Sequence, residues 1–138
     1  MMLTVIDQIS INAPIQKVWD ILTNPKFIKE WDDIPENYTG GLLTLNSVIE
    51  WEGHAKMVVT EFEEMKILKL NLYLPKVNLD PSQYDVSYRY SLKSNGEIVL
   101  DFEIGDFSPL PNSQDYYESS IEWLKMAKLK IKELAESK

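Results

Sequence analysis

A chain of 138 residues with no cysteine, a formal charge of −8 and 44% hydrophobic residues is sized for one domain and closes off several chemistries at once. Disulfides, thiolate nucleophiles and Cys-ligated zinc are excluded, and the acidic excess lacks the clustered Lys and Arg that nucleic acid requires. No apolar run approaches the roughly 20 residues that span a bilayer, and "MMLTVIDQIS" has neither a basic start nor a continuous apolar stretch, so a cytoplasmic protein without signal peptide or membrane insertion is expected.

The first segment, "LTVIDQISI", alternates, with Leu3, Val5, Ile9 and Ile11 on one face of a strand. Asp7 falls on that apolar face, which predicts a bulge or a wet end of the sheet there, or else a cavity carboxylate. In "INAPIQKVWDILTNPKFIKEW" Pro14 suits a first helical turn, and Ile15, Val18, Trp19 and Leu22 form one apolar stripe. Asn24 is a good N-cap and Pro25 a good first residue, so a second helix starts at once, burying Phe27, Ile28 and Trp31. Helices this short are marginal alone and need an apolar surface beneath them.

"DDIPENYTGG" is a loop, after which the period is two. Ile49 and Trp51 share a face, "HAKMVVTEFEE" follows, and Leu68, Leu70, Leu72 and Leu74 alternate strictly. "KVNLDPSQ" is a loop. Val86, Tyr88, Tyr90 and Leu92, a Ser-Asn-Gly turn, then Ile98, Leu100, Phe102 and Ile104 read as a hairpin. From about Asp115 to Ser137 the pattern is helical, with Tyr117, Ile121, Leu124, Ile131 and Leu134 in a stripe beside Trp123 and Ala127. Such a helix is about 33 Å long at 1.5 Å per residue. A sheet of about six antiparallel strands wrapped round this C-terminal helix, with two short helices after the first strand, satisfies every apolar face: an α+β fold occupying residues 1–138 as one domain. From Ile121 onward Lys125, Lys128, Lys130, Lys132 and Lys138 outnumber three glutamates, which reads as a solvated basic face or, alternatively, a site for an anionic partner.

Ala13-Pro14, Val18-Trp19, Thr23-Asn24-Pro25 and Trp31 resemble the opening of START-like (SRPBCC) helix-grip domains, in the branch called activator-of-heat-shock-protein-ATPase homologue-like. Trp123-Leu124 in "SSIEWLKMAKLKIKELAE" is similar to the branch's closing helix. The order of elements agrees over essentially the whole chain. The resemblance implies a hydrophobic cavity between sheet and long helix. It also implies a lipid, sterol, polyketide or other apolar ligand, with cyclisation or dehydration in some members. The eponymous co-chaperones carry a further N-terminal domain for which these residues leave no room.

No catalytic apparatus is legible. His54 is the sole histidine and sits at a strand start, as a turn residue or as a polar group of the cavity. Asp32, Asp33 and Glu36 lack the ligand alternation and glycine of a hard-cation loop, and Gly40-Gly41 precedes a strand, so neither metal nor cofactor is expected. Arg89, the sole arginine, projects to the sheet face opposite Tyr88. The candidate ligand-binding set is Trp31, Trp51, His54, Phe62, Leu70, Leu72, Tyr88, Tyr90, Phe102, Trp123 and Ala127, with tyrosine hydroxyls, His54 or Asn71 giving specificity. The loops 32–41, 76–83 and 105–114 would form the mouth. Burying a ten-carbon chain would gain on the order of 8 kcal/mol, of which association costs remove several. The expected function is therefore binding of a small hydrophobic or amphipathic molecule. Alternatives are a protein-interaction or co-chaperone-like module with a filled core, as a homodimer or with another protein, and a cyclase or hydrolase needing His54 inward beside a carboxylate.

Overall fold

A computed structural model describes residues 3–32, 34–35, 38, 40–75, 79–80 and 83–137. The elements run β1 (Val5–Ile11), α1 (Ile15–Thr23), α2 (Pro25–Trp31), β2 (Val48–Trp51), β3 (Ala55–Glu63), β4 (Ile67–Tyr73), β5 (Ser87–Asn95), β6 (Glu97–Gly105) and α3 (Ser113–Glu136). All strand pairs are antiparallel, in one six-stranded sheet ordered β1-β6-β5-β4-β3-β2. This is the expected helix-grip arrangement: α3 lies against the inner face of a curved sheet, and α1 and α2 close the gap between its first and last strands.

Asn24 makes the helix–helix break work from both sides. Its N–H donates to the Asp20 carbonyl at 2.8 Å, ending α1, while its side-chain oxygen accepts from the Lys26 N–H at 3.0 Å, starting α2 with Pro25 behind it. Both helices turn apolar faces inward, and Val18, Trp19, Ile21, Leu22, Ile28 and Trp31 are buried. The predicted hairpin is β5–β6, turning at Gly96, whose φ of +86° favours glycine. Gly105 ends β6 at φ +145°, and a Cβ there would stand 2.8 Å from the Leu3 carbonyl oxygen, so both conformation and space select glycine. In β3 the register shifts between Val59 and Glu61, a bulge that bends the strand.

One expectation about charge is corrected. The β1–β6 register runs unbroken through Asp7↔Phe102, so Asp7 is not at a bulge, although on this edge strand its side chain stays 35% exposed. It points to the inner face, where the Lys128 ammonium meets it at 2.6 Å. Burial opposes its ionisation, but the Lys128 ammonium and the Gln8 N–H outweigh that and hold its pKa below the ordinary carboxylate value. The lysines of α3 lie on a largely solvated face and are each held in a pair. Lys125 pairs with Glu122, Lys128 with Asp7, Lys130 with Glu133 and Lys132 with Glu136, while Lys138 lies outside the described residues.

Candidate functional site

Alternation puts Tyr88 and Tyr90 on the same face of β5, and around them the structure assembles a chain of rings. Phe102 meets Tyr90 at 5.8 Å between centroids, Tyr90 meets Trp31 at 6.0 Å, Trp31 meets Trp123 at 6.3 Å, and Trp123 meets Tyr88 at 5.8 Å. Three of these contacts are edge-to-face and the two indoles are tilted by 44°, arrangements worth about 0.5–1.5 kcal/mol each beyond area burial. Trp31 is pinned as well as packed: its indole N–H donates to the Ile21 carbonyl at 2.9 Å. Trp123, by contrast, is only half-buried on α3.

One carboxylate presides over the phenols. Asp32 caps α2, its N–H donating to the Ile28 carbonyl at 2.8 Å. Burial raises the Tyr88 pKa to about 12, with the Asp32 charge adding and a hydrogen bond from the Ser120 side chain opposing. Burial, then Asp32, then Tyr88 push Tyr90 well above the ordinary phenol value. Both hydroxyls are therefore neutral donors and acceptors at physiological pH, unfit as bases but apt for orienting a polar group.

Trp123 is the common wall of two spaces. On one side a pocket of about 250 Å³ is lined by Leu72, Tyr88, Phe107, Tyr116, Ser119, Ser120 and Trp123. Phe107 and Tyr116 stack there, 6.1 Å apart and within 7° of parallel. The Phe107 loop is fixed by Asp106, whose carboxylate accepts from the Leu3 N–H at 2.8 Å and from the Ser108 N–H and hydroxyl at 2.9 and 2.8 Å. On the other side a groove of about 630 Å³ runs between α2 and α3 along Trp31, Asp32, Trp123, Met126, Leu129 and Lys130. Between sheet and short helices, where Trp31, Met57 and Tyr90 meet, the void is about 20 Å³, room for about one water. Among the described residues the space beneath the short helices is thus filled by side chains, whereas between the sheet and α3 the pocket of about 250 Å³ remains.

The structure brings together Trp31, Tyr88, Tyr90, Phe102 and Trp123, with Leu72 in the pocket and Ala127 in the groove. Leu70 and Trp51 line the small void. Phe62 lies at 5.5 Å from Trp19, in a ring pair of its own. His54 is exposed in the β2–β3 turn and lines neither space. Asn71 is on the outer sheet face, where it accepts from Thr60 at 2.6 Å and donates to Asp85 at 2.8 Å, so it is not a pocket group. Arg89 is on that outer face too, 3.6 Å from Glu61. Of the acidic loop, Asp33 and Glu36 lie outside the described residues, as do residues 76–78 and 81–82 of the second loop; among the described residues no three acidic or histidine side chains are grouped to hold a metal. Sequence reading misses Phe107, Tyr116 and Ser120, although the i, i+3, i+4, i+7 spacing of Tyr116, Ser119, Ser120 and Trp123 carries the signal for a second face of α3.

No protein-family model and no curated protein matches the sequence. Solved structures do match the fold. Protein MLL2253 from Mesorhizobium loti superposes with a TM-score of 0.74 at 21% identity, covering 95% of each chain. The Aha1 dimer from Colwellia psychrerythraea gives 0.72 at 18%, covering 98% of this chain and 97% of that one. CalU16 from Micromonospora echinospora gives 0.70 at 19%, covering 96% of this chain and 65% of the other. At these identities the likeness establishes the helix-grip fold.

Proposed function

We propose that the chain binds a small, uncharged, apolar or amphipathic molecule in the pocket between β4, β5, the Phe107 loop and the first half of α3. One observation carries the reading: the pocket presents four aromatic rings, Tyr88, Phe107, Tyr116 and Trp123, and among its described lining the polar side-chain groups are four hydroxyls and the Trp123 indole N–H, with no charged side chain. Stacked and edge-on rings favour a flat ligand, and hydroxyls from Tyr88, Tyr116, Ser119 and Ser120 suit a carbonyl or hydroxyl on it. At about 250 Å³ the space is below the usual range for drug-sized ligands, so a larger molecule needs Trp123 to swing toward the groove. DynU16, which shares the fold at a TM-score of 0.69 and 15% identity, is described as a protein of the dynemicin biosynthetic locus, and a biosynthetic intermediate is the kind of ligand this lining suits. The same reading treats residues 1–138 as one START-like domain of the heat-shock-ATPase-activator-homologue branch, acting in the cytoplasm without cofactor.

Mass spectrometry of the purified protein, native against denatured, tests it. The expected result is a small co-purified molecule, lost from Trp123→Ala and from Ser120→Trp, which fills the pocket. Retention of the same molecule by Ser120→Trp would place the binding elsewhere and overturn the reading. A cyclase or hydrolase gains no support from the geometry, since His54 stands exposed outside the pocket. The interaction-module alternative has a specific observation in its favour: Met126 and Leu129, which border the groove, are 77% and 60% exposed.

A further inference from the structure

We infer that the groove between α2 and α3 is a docking site for a basic amphipathic helix of a protein partner. The α3 wall consists of Trp123, Met126, Ala127, Lys130 and Glu133, with Leu129 at the rim. Steps of three and four residues keep these on one helix face. From 123 to 133 the wall is about 15 Å long at 1.5 Å per residue, three helical turns. The facing wall is the end of α2, with Glu30, Trp31 and Asp32. An open trough that runs three turns along α3, bounded opposite by the last turn of α2 and floored by indole and alanine, suits a helix laid along α3 better than a small molecule, which buries most of its surface in a concave site.

Exposure argues the same way. Met126 and Leu129 are the two large apolar side chains of α3 left bare, 77% and 60% exposed, and both border this groove. Contiguous bare apolar surface next to a groove marks an interaction site, and a methionine there adapts to varied apolar partners. The sign of the partner follows from the rim. Glu30, Asp32 and Glu133 stand against Lys130, three carboxylates to one ammonium, and the ammonium is itself paired with Glu133 at 3.5 Å. The other lysines of α3 pair with Glu122, Asp7 and Glu136. A chain of net charge −8 adds a long-range attraction for cations. The occupant is thus a segment with leucine-like residues at i, i+3, i+4 and lysine or arginine between them. The groove shares only Trp123 with the proposed ligand pocket, and the variants that test it leave that residue in place.

The test uses the intact chain and an 18-residue peptide of leucine and lysine arranged with helical periodicity, alongside a scrambled peptide of the same composition. Calorimetric titration should show the periodic peptide binding at least tenfold tighter than the scrambled one, with the peptide becoming helical in circular dichroism. Met126→Ser/Leu129→Ser should weaken binding at least tenfold, and Glu30→Lys several-fold, both changes being on exposed side chains. Equal binding of the scrambled peptide, or unchanged binding in the serine variant, would reduce the effect to bulk charge and overturn the proposal. Two other results would also overturn it by assigning a different occupant. One is a concentration-dependent dimer in analytical ultracentrifugation that the serine variant abolishes. The other is binding to anionic phosphatidylserine vesicles that the peptide does not displace.

Discussion

The two halves of α3 meet the sheet through different forces. The C-terminal half is fixed to β1 and the segment after it. Lys128 reaches Asp7 at 2.6 Å, Lys132 the Ser10 carbonyl at 2.6 Å, and Glu136 the Asn12 N–H at 2.8 Å, a ladder stepping four residues at a time, with the Lys17 ammonium on the Ser137 carbonyl beyond it. Ile131 and Ala135 are buried beneath. The N-terminal half rests on rings, with Tyr116 on Phe107 and Trp123 on Tyr88 and Trp31, and a space opens on each side of Trp123. Directional charge pairs over a packed core define one position, whereas ring edges beside open volume permit several. A binding site that must admit a guest suits the second kind of contact: the ligand pocket lies there, while the groove starts at Trp123 and runs along the outer side of the C-terminal half.

The comparison predicts a larger loss per atom removed from the packed half than from the ring half. Ile131→Ala removes fewer atoms than Trp123→Ala, but Ile131 is fully buried and Trp123 only partly. The isoleucine change should cost about 2–5 kcal/mol through lost transfer energy and an unrelaxed cavity. The tryptophan change should cost about 3–5 kcal/mol, its two ring contacts together with its covered area, spread over three times as many atoms. Urea melts at constant m-value measure both. A larger loss per atom for Trp123→Ala would mean that the N-terminal half is the fixed one and would break the comparison.

The ring side makes an alkaline prediction. Burial raises the Tyr88 pKa from 10.0 to about 12 and holds that of Tyr90 well above 10.0. A phenol whose folded pKa is raised contributes stability that is complete below the unfolded value and is lost as pH climbs through the folded one. Between pH 10 and 12 the fold should therefore weaken by on the order of 2–3 kcal/mol for Tyr88 alone. In ultraviolet titration of the seven tyrosines, Tyr88→Phe and Tyr90→Phe should each remove a late-ionising component. An early component missing instead would show those rings to be wet.

The charged side makes the opposite, acidic prediction and a smaller one. Asp7 is held below the ordinary carboxylate value, so its contribution is present above the unfolded pKa and disappears as pH falls through the folded one. With both partners partly exposed, Asp7→Asn should cost about 1 kcal/mol at neutral pH. The gap to wild type should close in acid and shrink with added salt. A gap that persists in acid would assign the effect to packing at the sheet edge.

What the sequence discloses follows the range of each interaction. Strict alternation in Leu68–Leu74 and Tyr88–Leu92, the Asn24-Pro25 break and the turn at Gly96 are local, and all of them appear where the pattern put them. The aromatic set was legible as a set because Trp31, Tyr88, Tyr90 and Trp123 each lie on the apolar stripe of their own element. Which rings touch was not, since Phe62 stands on an apolar face of β3 and pairs with Trp19 instead. Asp7 was misplaced because its partner is 121 residues away, beyond any pattern on β1. Periodicity likewise says which faces turn inward, but not that Trp31, Met57 and Tyr90 fill the space beneath the short helices while a pocket stays open beneath the first half of α3.

The smallest expected effect separates docking from folding. Met126 and Leu129 are largely exposed on the outside of α3, where substitutions away from caps and cores change stability by no more than about 0.5 kcal/mol. Met126→Ser and Leu129→Ser should therefore leave the urea midpoint nearly unchanged, singly and together, while the double variant loses the basic peptide. Removing exposed apolar area should even raise solubility. If either serine lowered stability by more than about 1 kcal/mol, the side chain would be covering the core in solution. The bare stripe would then be a lid over Trp123, and the yielding half of α3 would extend a turn further toward the charged ladder.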